Sequence, residues 1–270
     1  MIHNEIDIWK GFKYEGEMAD DFRPTMTTYM LSGEKKRGTV LVLPGGGYSH
    51  TSPREAEPIA IKFNEAGYHA VVLYYSVAPR RYPQQVLDCA RALTIILEKA
   101  NEWKIDTKKI YVNGFSAGGH LAASISNLYK ESWIREQQGV KIGKLVLKGS
   151  ILAYPVITGL EFRHEGSFIN LLGEDATADE REQLSMEGLV NAQTPPTFIW
   201  HTFEDMAVPL ENTLLYAMAL RKMTIPFELH IYPKGGHGLS LATAETAIEA
   251  CHINKQAATW IDLCIGWMID

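Results

Sequence analysis

The sequence predicts an α/β fold: one mostly parallel, doubly wound sheet, with antiparallel strands at its N-terminal edge and a small helical insert. Three observations predict it. Short β-rich runs alternate with helical patterns along most of the chain. Most of those runs are near-continuously apolar, as strands covered on both faces must be. No repeat, low-complexity tract or Ser/Gly linker divides the 270 residues, a length that suits one large domain over 1–270.

The opening segment, roughly residues 6–32, contains Phe22–Leu31 and reads as antiparallel edge strands. The strands that follow are predicted at Thr39–Leu43, Ala70–Tyr75, Lys109–Val112, Leu145–Ile151, Thr197–His201 and Phe227–Tyr232. Helices are predicted between them at Glu55–Glu65, Gln84–Glu102, Ala117–Tyr129, Leu210–Met223 and Ala242–Met268, the last long enough to hold a break. Pro209 suits the first position of its helix, and Gly67 sits just past the end of another. Residues 157–195 break the rhythm with charge, glycine and short amphipathic pieces such as Phe168–Leu172. The run is too long for an ordinary loop and predicts a small helical lid or cap. Placed after a strand's carboxyl end, it would overhang a ligand crevice.

Composition sets outer bounds. Hydrophobic residues make up 46% and charged residues 21%, ordinary for a soluble globular protein. Net charge is −6 with no basic stripe, so nucleic acid is not an expected partner. Met1–Lys10 lacks a basic region followed by a long apolar run, which predicts no signal peptide and a cytoplasmic setting. Apolar stretches such as Ala70–Tyr75 are strand-length, so no membrane association is expected. Cys89, Cys251 and Cys264, without a C-x-x-C pair, read as reduced core thiols in helical segments and not as a metal site.

The strongest chemical signal is Gly114-Phe-Ser116-Ala-Gly118, directly after Ile110–Val112 and before a helical run. A nucleophile on a sharp strand-to-helix turn needs small residues two positions to either side, because the backbone doubles back there. In isolation the pattern also fits a glycine-rich turn with an incidental serine. Pro44-Gly45-Gly46-Gly47-Tyr48 follows the first parallel strand, where a loop of oxyanion donors belongs. With the N–H of Ala117, the glycine amides would complete an oxyanion hole. Phosphate binding is the rival for that triplet, but the chain lacks both G-K-[ST] and G-x-G-x-x-G.

A serine nucleophile needs a base, and His237 follows the last strand within Lys234-Gly-Gly-His-Gly238. His120 lies one helical turn beyond Ser116 and suits packing or hydrogen bonding, while His201 and His230 fall inside strands. The imidazole needs a carboxylate to set its tautomer. Asp205 follows strand Thr197–His201, with Glu204 as the adjacent rival. The order Ser116, Asp205, His237 is the order such a sheet requires.

With these motifs in place the chain resembles the acetylesterase/carboxylesterase branch of the α/β-hydrolase superfamily, and especially its carbohydrate and xylan acetyl esterases. The matching segments are Leu43–Tyr48, Asn113–Ala122, Thr194–Phe198, His201–Pro209 and Tyr232–Gly238. The resemblance runs from about Thr39 to the C-terminus. It implies a serine hydrolase in which Ser116, Asp205 and His237 form the catalytic triad. Gly46 and Ala117 would donate to the oxyanion, with Gly45 or Gly47 as alternatives. It implies no metal and no organic cofactor, and a small-molecule ester as substrate; whether the chain forms a homodimer is left open. Many hormone-sensitive-lipase-like relatives carry histidine before the glycines, where this chain has Pro44. An arylformamidase-like amide hydrolase, a prolyl-oligopeptidase-like peptidase and a catalytically silent binding protein remain as alternatives. Tyr48, Trp133, Tyr154 and Phe168 are candidates both for a pocket and for plain core packing.

Overall fold

A computed structural model of the chain describes residues 2–269. Among the described residues eight strands form one sheet in the order β1-β2-β4-β3-β5-β6-β7-β8. β1 (Glu5–Asp7) and β2 (Thr25–Tyr29) run antiparallel at one edge. Beside them β3 (Arg37–Leu43), β4 (His69–Tyr74), β5 (Ile105–Phe115), β6 (Gly149–Ala153), β7 (Thr197–Thr202) and β8 (Phe227–Tyr232) are all parallel.

Alternation along the strands builds two cores. Leu41, Leu43, Val71, Leu73 and Val112 face α2 (Gln84–Glu98) and α3 (Ala117–Leu128). Val40, Val42, Ala70 and Val72 face α1 (Glu57–Glu65) on the opposite side of the sheet, where Trp200 stacks on Trp260. That period of two, with both faces apolar, is why the strands read as unbroken hydrophobic runs. Gly67 closes α1 as expected. It takes φ +86°, its N–H bonds to Asn64 O, and Tyr68 N–H bonds to Phe63 O, a Schellman ending.

Several expectations shift. The segment Leu145–Ile151 becomes a strand only from Gly149, because Leu145 and Leu147 are buried as loop residues while Val146 is 63% exposed. The stretch Ala242–Met268, expected as a helix with room for a break, is helical only from Trp260; before it come 3-10 turns at Ala250–His252 and Ala257–Thr259. Ser240 and Ala242 there have φ +56° and +55°, which no helix accepts. Between β1 and β2 the chain is a loop that buries Trp9 and Tyr14. Cys89 and Cys264 are buried, but Cys251 is exposed.

Residues 157–195 hold α4 (Glu165–Leu172), α5 (Ala178–Gln183) and a 3-10 turn at Met186–Leu189. Phe168, Leu171, Leu184 and Met186 join the core on the α2/α3 side. The helix that follows β7 is α6 (Glu211–Lys222), and α7 (Trp260–Ile269) is the last among the described residues. No helix among the described residues is long and apolar enough to cross a membrane.

Candidate active site

The loops after β3, β5, β6, β7 and β8 all leave the carboxyl edge of the sheet, and the predicted residues meet there. The chain turns at Ser116 with φ 52° and ψ −119°, a conformation costly for a side-chain-bearing residue. Three hydrogen bonds hold it. Ser116 N–H donates to Ala153 O at 3.0 Å, while its carbonyl accepts from Val156 N–H at 3.0 Å and His120 N–H at 3.1 Å. The flanking glycines are sterically required. A Cβ on Gly114 would strike the Gly118 carbonyl, and one on Gly118 would strike the Leu43 and Pro44 carbonyls.

His237 reaches Ser116 from the loop after β8. Its Nε2 lies 2.7 Å from Ser116 Oγ, and its Nδ1 lies 2.6 Å from Asp205 Oδ2. Glu204, the rival carboxylate, turns outward to Lys234 Nζ and the Gly235 N–H. Asp205 is fully buried. Burial pushes its pKa upward. Hydrogen bonds from His201 and His237, the His237 charge and the Val208 N–H overcome this and hold the carboxyl well below the usual range. Its Oδ1 accepts from Ala207 N–H at 3.0 Å and Val208 N–H at 2.9 Å.

The glycine loop narrows the choice of oxyanion donors. Gly45 drops out, because its N–H already donates to Glu55 Oε2 at 2.8 Å. Gly46 and Gly47 have φ +128° and +60° and turn the loop back, so that the Gly46 carbonyl accepts from Ser49 N–H at 3.0 Å. The N–H groups of Gly46, Gly47 and Ala117 carry no hydrogen bond among the described residues. Pro44 keeps its carbonyl useful: it accepts from the Tyr75 hydroxyl.

Above Ser116 opens a cavity of about 200 Å³, walled by Gly47, His50, Arg54, Glu55 and His164 beside His237. Burial and the neighbouring His237 push the His164 imidazole below its ordinary pKa. A larger cleft of about 850 Å³ lies among Lys108, Lys141, Lys144 and Lys148, at the amino ends of β6 and β7, away from these groups. Tyr48, Tyr154 and Phe168 are buried and Trp133 packs on Tyr82, so none of the four walls the Ser116 cavity. Tyr154 does make a T-shaped ring contact with His237, with centroids 5.1 Å apart. His50, Glu55 and His164 were not legible as site residues. Only His201, four residues before Asp205 at a strand end, carried a local signal.

Comparison with known proteins fits this geometry. Residues 27–220 match the BD-FAE family model. The chain is 37% identical over 88% of its length to endo-1,4-beta-xylanase B of Butyrivibrio fibrisolvens, covering 38% of that protein. It is 31% identical to the acetylxylan esterase of Xylanibacter ruminicola, covering 47% of it, so the chain spans less than half of either curated relative. The crystal structure of an acetyl ester-xyloside bifunctional hydrolase from Caldicellulosiruptor lactoaceticus superimposes with a TM-score of 0.87 at 36% identity, over 98% of this chain and 95% of that one. A carboxylesterase from Lactobacillus plantarum, Cest-2923, gives 0.80 at 26% identity, over 100% and 97%. The chain belongs to the BD-FAE family of the α/β-hydrolase superfamily.

Proposed function

We propose that the chain is a serine esterase that removes acetyl and similarly short acyl groups from small sugars or oligosaccharides through an acyl-enzyme. The observation that carries this reading is the unbroken hydrogen-bonded line Ser116–His237–Asp205, with unpaired backbone N–H groups beside the serine.

Ser116 Oγ attacks the acyl carbon as His237 Nε2 takes its proton. Asp205 keeps the other imidazole proton on Nδ1 and stabilises the imidazolium. The carbonyl oxygen, now negative, is received by Ala117 N–H and by Gly46 or Gly47 N–H, each donor worth about 3 kcal/mol in the transition state. Collapse expels the sugar hydroxyl, protonated by His237, and leaves an acyl ester on Ser116. Water activated by the same imidazole then releases the acid. Side chains and backbone amides supply the whole sequence.

The small cavity and its polar walls, His50, Arg54 and His164, favour a short acyl group next to a hydroxylated leaving group. The names of the xylan-acting relatives point to the same substrate class. Residues 157–195 belong to the same single domain as the sheet. They act as a fixed wall of the site, because His164 lines the cavity and Asn170 Nδ2 donates to Gly47 O at 2.8 Å.

The test sets the protein and Ser116→Ala against p-nitrophenyl acetate, butyrate and octanoate, acetylated xylo-oligosaccharides, N-formylkynurenine and a peptide anilide. Acetate-selective turnover at least about a thousandfold lower in the variant is expected. Faster turnover of formylkynurenine would reassign the enzyme to amide hydrolysis. Inertness of both proteins would leave a binding protein.

A further inference from the structure

Glu55 places a buried carboxylate beside the serine that the hydrolytic scheme does not use. It is 4% exposed, at the end of the 3-10 turn Pro53–Glu55. Both oxygens are engaged: Oε2 accepts from Gly45 N–H at 2.8 Å and Oε1 from the Tyr154 hydroxyl at 2.6 Å. The same phenol oxygen accepts from Ser240 N–H at 2.9 Å, three residues past His237. Ser240 Oγ donates to Arg54 O at 2.6 Å, which closes a ring back to the residue beside Glu55. Burial keeps Tyr154 a phenol, raising it well above its ordinary pKa, so it remains a donor to Glu55.

An anion next to a developing oxyanion opposes the reaction by charge alone, so a positional role is needed to account for it. We propose that the Glu55–Tyr154 pair is a strut that holds the oxyanion loop and the His237 loop in register, making both side chains positioning residues for the hydrolysis. At one end the carboxylate fixes the Pro44–Gly45 peptide, and with it the direction in which the next N–H, that of Gly46, points. At the other end the phenol fixes Ser240 while its ring packs in a T-shaped contact with the His237 imidazole. Tyr154 follows Ala153, whose carbonyl holds Ser116 N–H, so one residue adjoins the nucleophile, the base and the oxyanion loop. Its own φ of +36° is consistent with a residue held by its surroundings.

This inference rests on the esterase reading, and the experiment separates the two. Steady-state hydrolysis of p-nitrophenyl acetate is measured for Tyr154→Phe, Glu55→Ala, the double variant, Glu55→Gln and Ser116→Ala. Binding of phenylboronic acid, whose adduct on Ser116 puts an oxygen in the oxyanion position, is measured in parallel. Each disruptive variant should lower kcat about tenfold or more with KM within about twofold, since small misplacements of reacting groups cost rate before affinity. Boronate affinity should fall with kcat, the double variant should match a single one, and Glu55→Gln, which can still accept from Gly45, should recover most of the rate. A kcat within about twofold of wild type in Tyr154→Phe, or effects that multiply in the double variant, would overturn the strut. Should Tyr154→Phe not fold, equal kcat in Glu55→Ala and Glu55→Gln overturns it instead. An active Ser116→Ala would sink the esterase reading itself.

Discussion

Asp205 Oδ2 serves two imidazoles at once, His237 Nδ1 at 2.6 Å and His201 Nε2 at 3.2 Å. His201 Nε2 also faces the Val208 carbonyl at 3.0 Å, so with two acceptors before it this nitrogen carries the proton. Nδ1 then accepts from the Thr213 hydroxyl at 2.8 Å. The ring is wholly buried, so all these partners lose water and depend on it. Replacing His201 with Leu would strip one donor from Asp205 and leave the Thr213 hydroxyl and Val208 carbonyl bare. The expected cost is about 2–4 kcal/mol in urea unfolding, with several unpaired buried groups contributing. Esterase kcat/KM should fall about tenfold as the carboxylate loosens its hold on His237. Unchanged unfolding and unchanged kinetics would show that His201 only fills space.

At the scale of elements, the segment 157–195 is docked through side chains of its neighbours. Asn212, at the start of α6, accepts from Ile157 N–H at 2.8 Å and Thr158 N–H at 3.1 Å, and donates to Phe162 O at 2.8 Å. His120 Nε2 meets Leu184 O at 2.9 Å, and Asn127 Nδ2 donates to Met186 O at 3.1 Å. A segment anchored at both ends and through its core residues makes a wall, and a mobile lid would need fewer ties. Asn212→Ala should therefore cost about 2–4 kcal/mol and raise amide exchange selectively over residues 157–163. Uniform exchange across the chain would contradict this anchoring. That residues 157–195 depart from the strand–helix rhythm could be read in the sequence from their charge and glycine. Its anchors were not, since Asn212 and His120 gain meaning only when distant segments meet. That Ser116, Asp205 and His237 would meet at one sheet edge could be read for the opposite reason: each follows a strand, a buried apolar one for Ser116 and Asp205, and glycines beside Ser116 and His237 report local backbone demands. Element ends failed where buried loop residues imitate a pattern, as Leu145 and Leu147 do before β6.

For the whole molecule, two buried titratable groups act on stability with opposite signs. His120 sits between the Tyr48 hydroxyl at 2.8 Å and the Leu184 carbonyl, and burial pushes its pKa down to about 4. Asp88 accepts from Trp9 Nε1 at 2.7 Å, Gln84 Nε2 at 2.8 Å and Ser76 N–H at 2.8 Å, tying the N-terminal loop to α2. Burial outweighs these donors and pushes it up to about 6. For His120 the folded value lies below the ordinary 6.5, so the unfolded chain binds the extra proton. That stability is present above pH 6.5 and is lost as pH falls toward 4, by about 3 kcal/mol at most. For Asp88 the folded value lies above 3.8, so its contribution is present below pH 3.8 and is lost as pH rises through 6, by a similar amount of about 3 kcal/mol at most. The two nearly offset, and wild-type unfolding alone would hide both. Variants separate them. The stability gap between wild type and His120→Asn should narrow from pH 7 to 4.5, because only the wild type gives up the buried neutral imidazole. The gap between wild type and Asp88→Asn should widen over the same interval, because only the wild type gains by protonating the buried carboxyl. Urea midpoints at four pH values measure both gaps, and a pH-independent gap for either variant would remove that residue from the linkage.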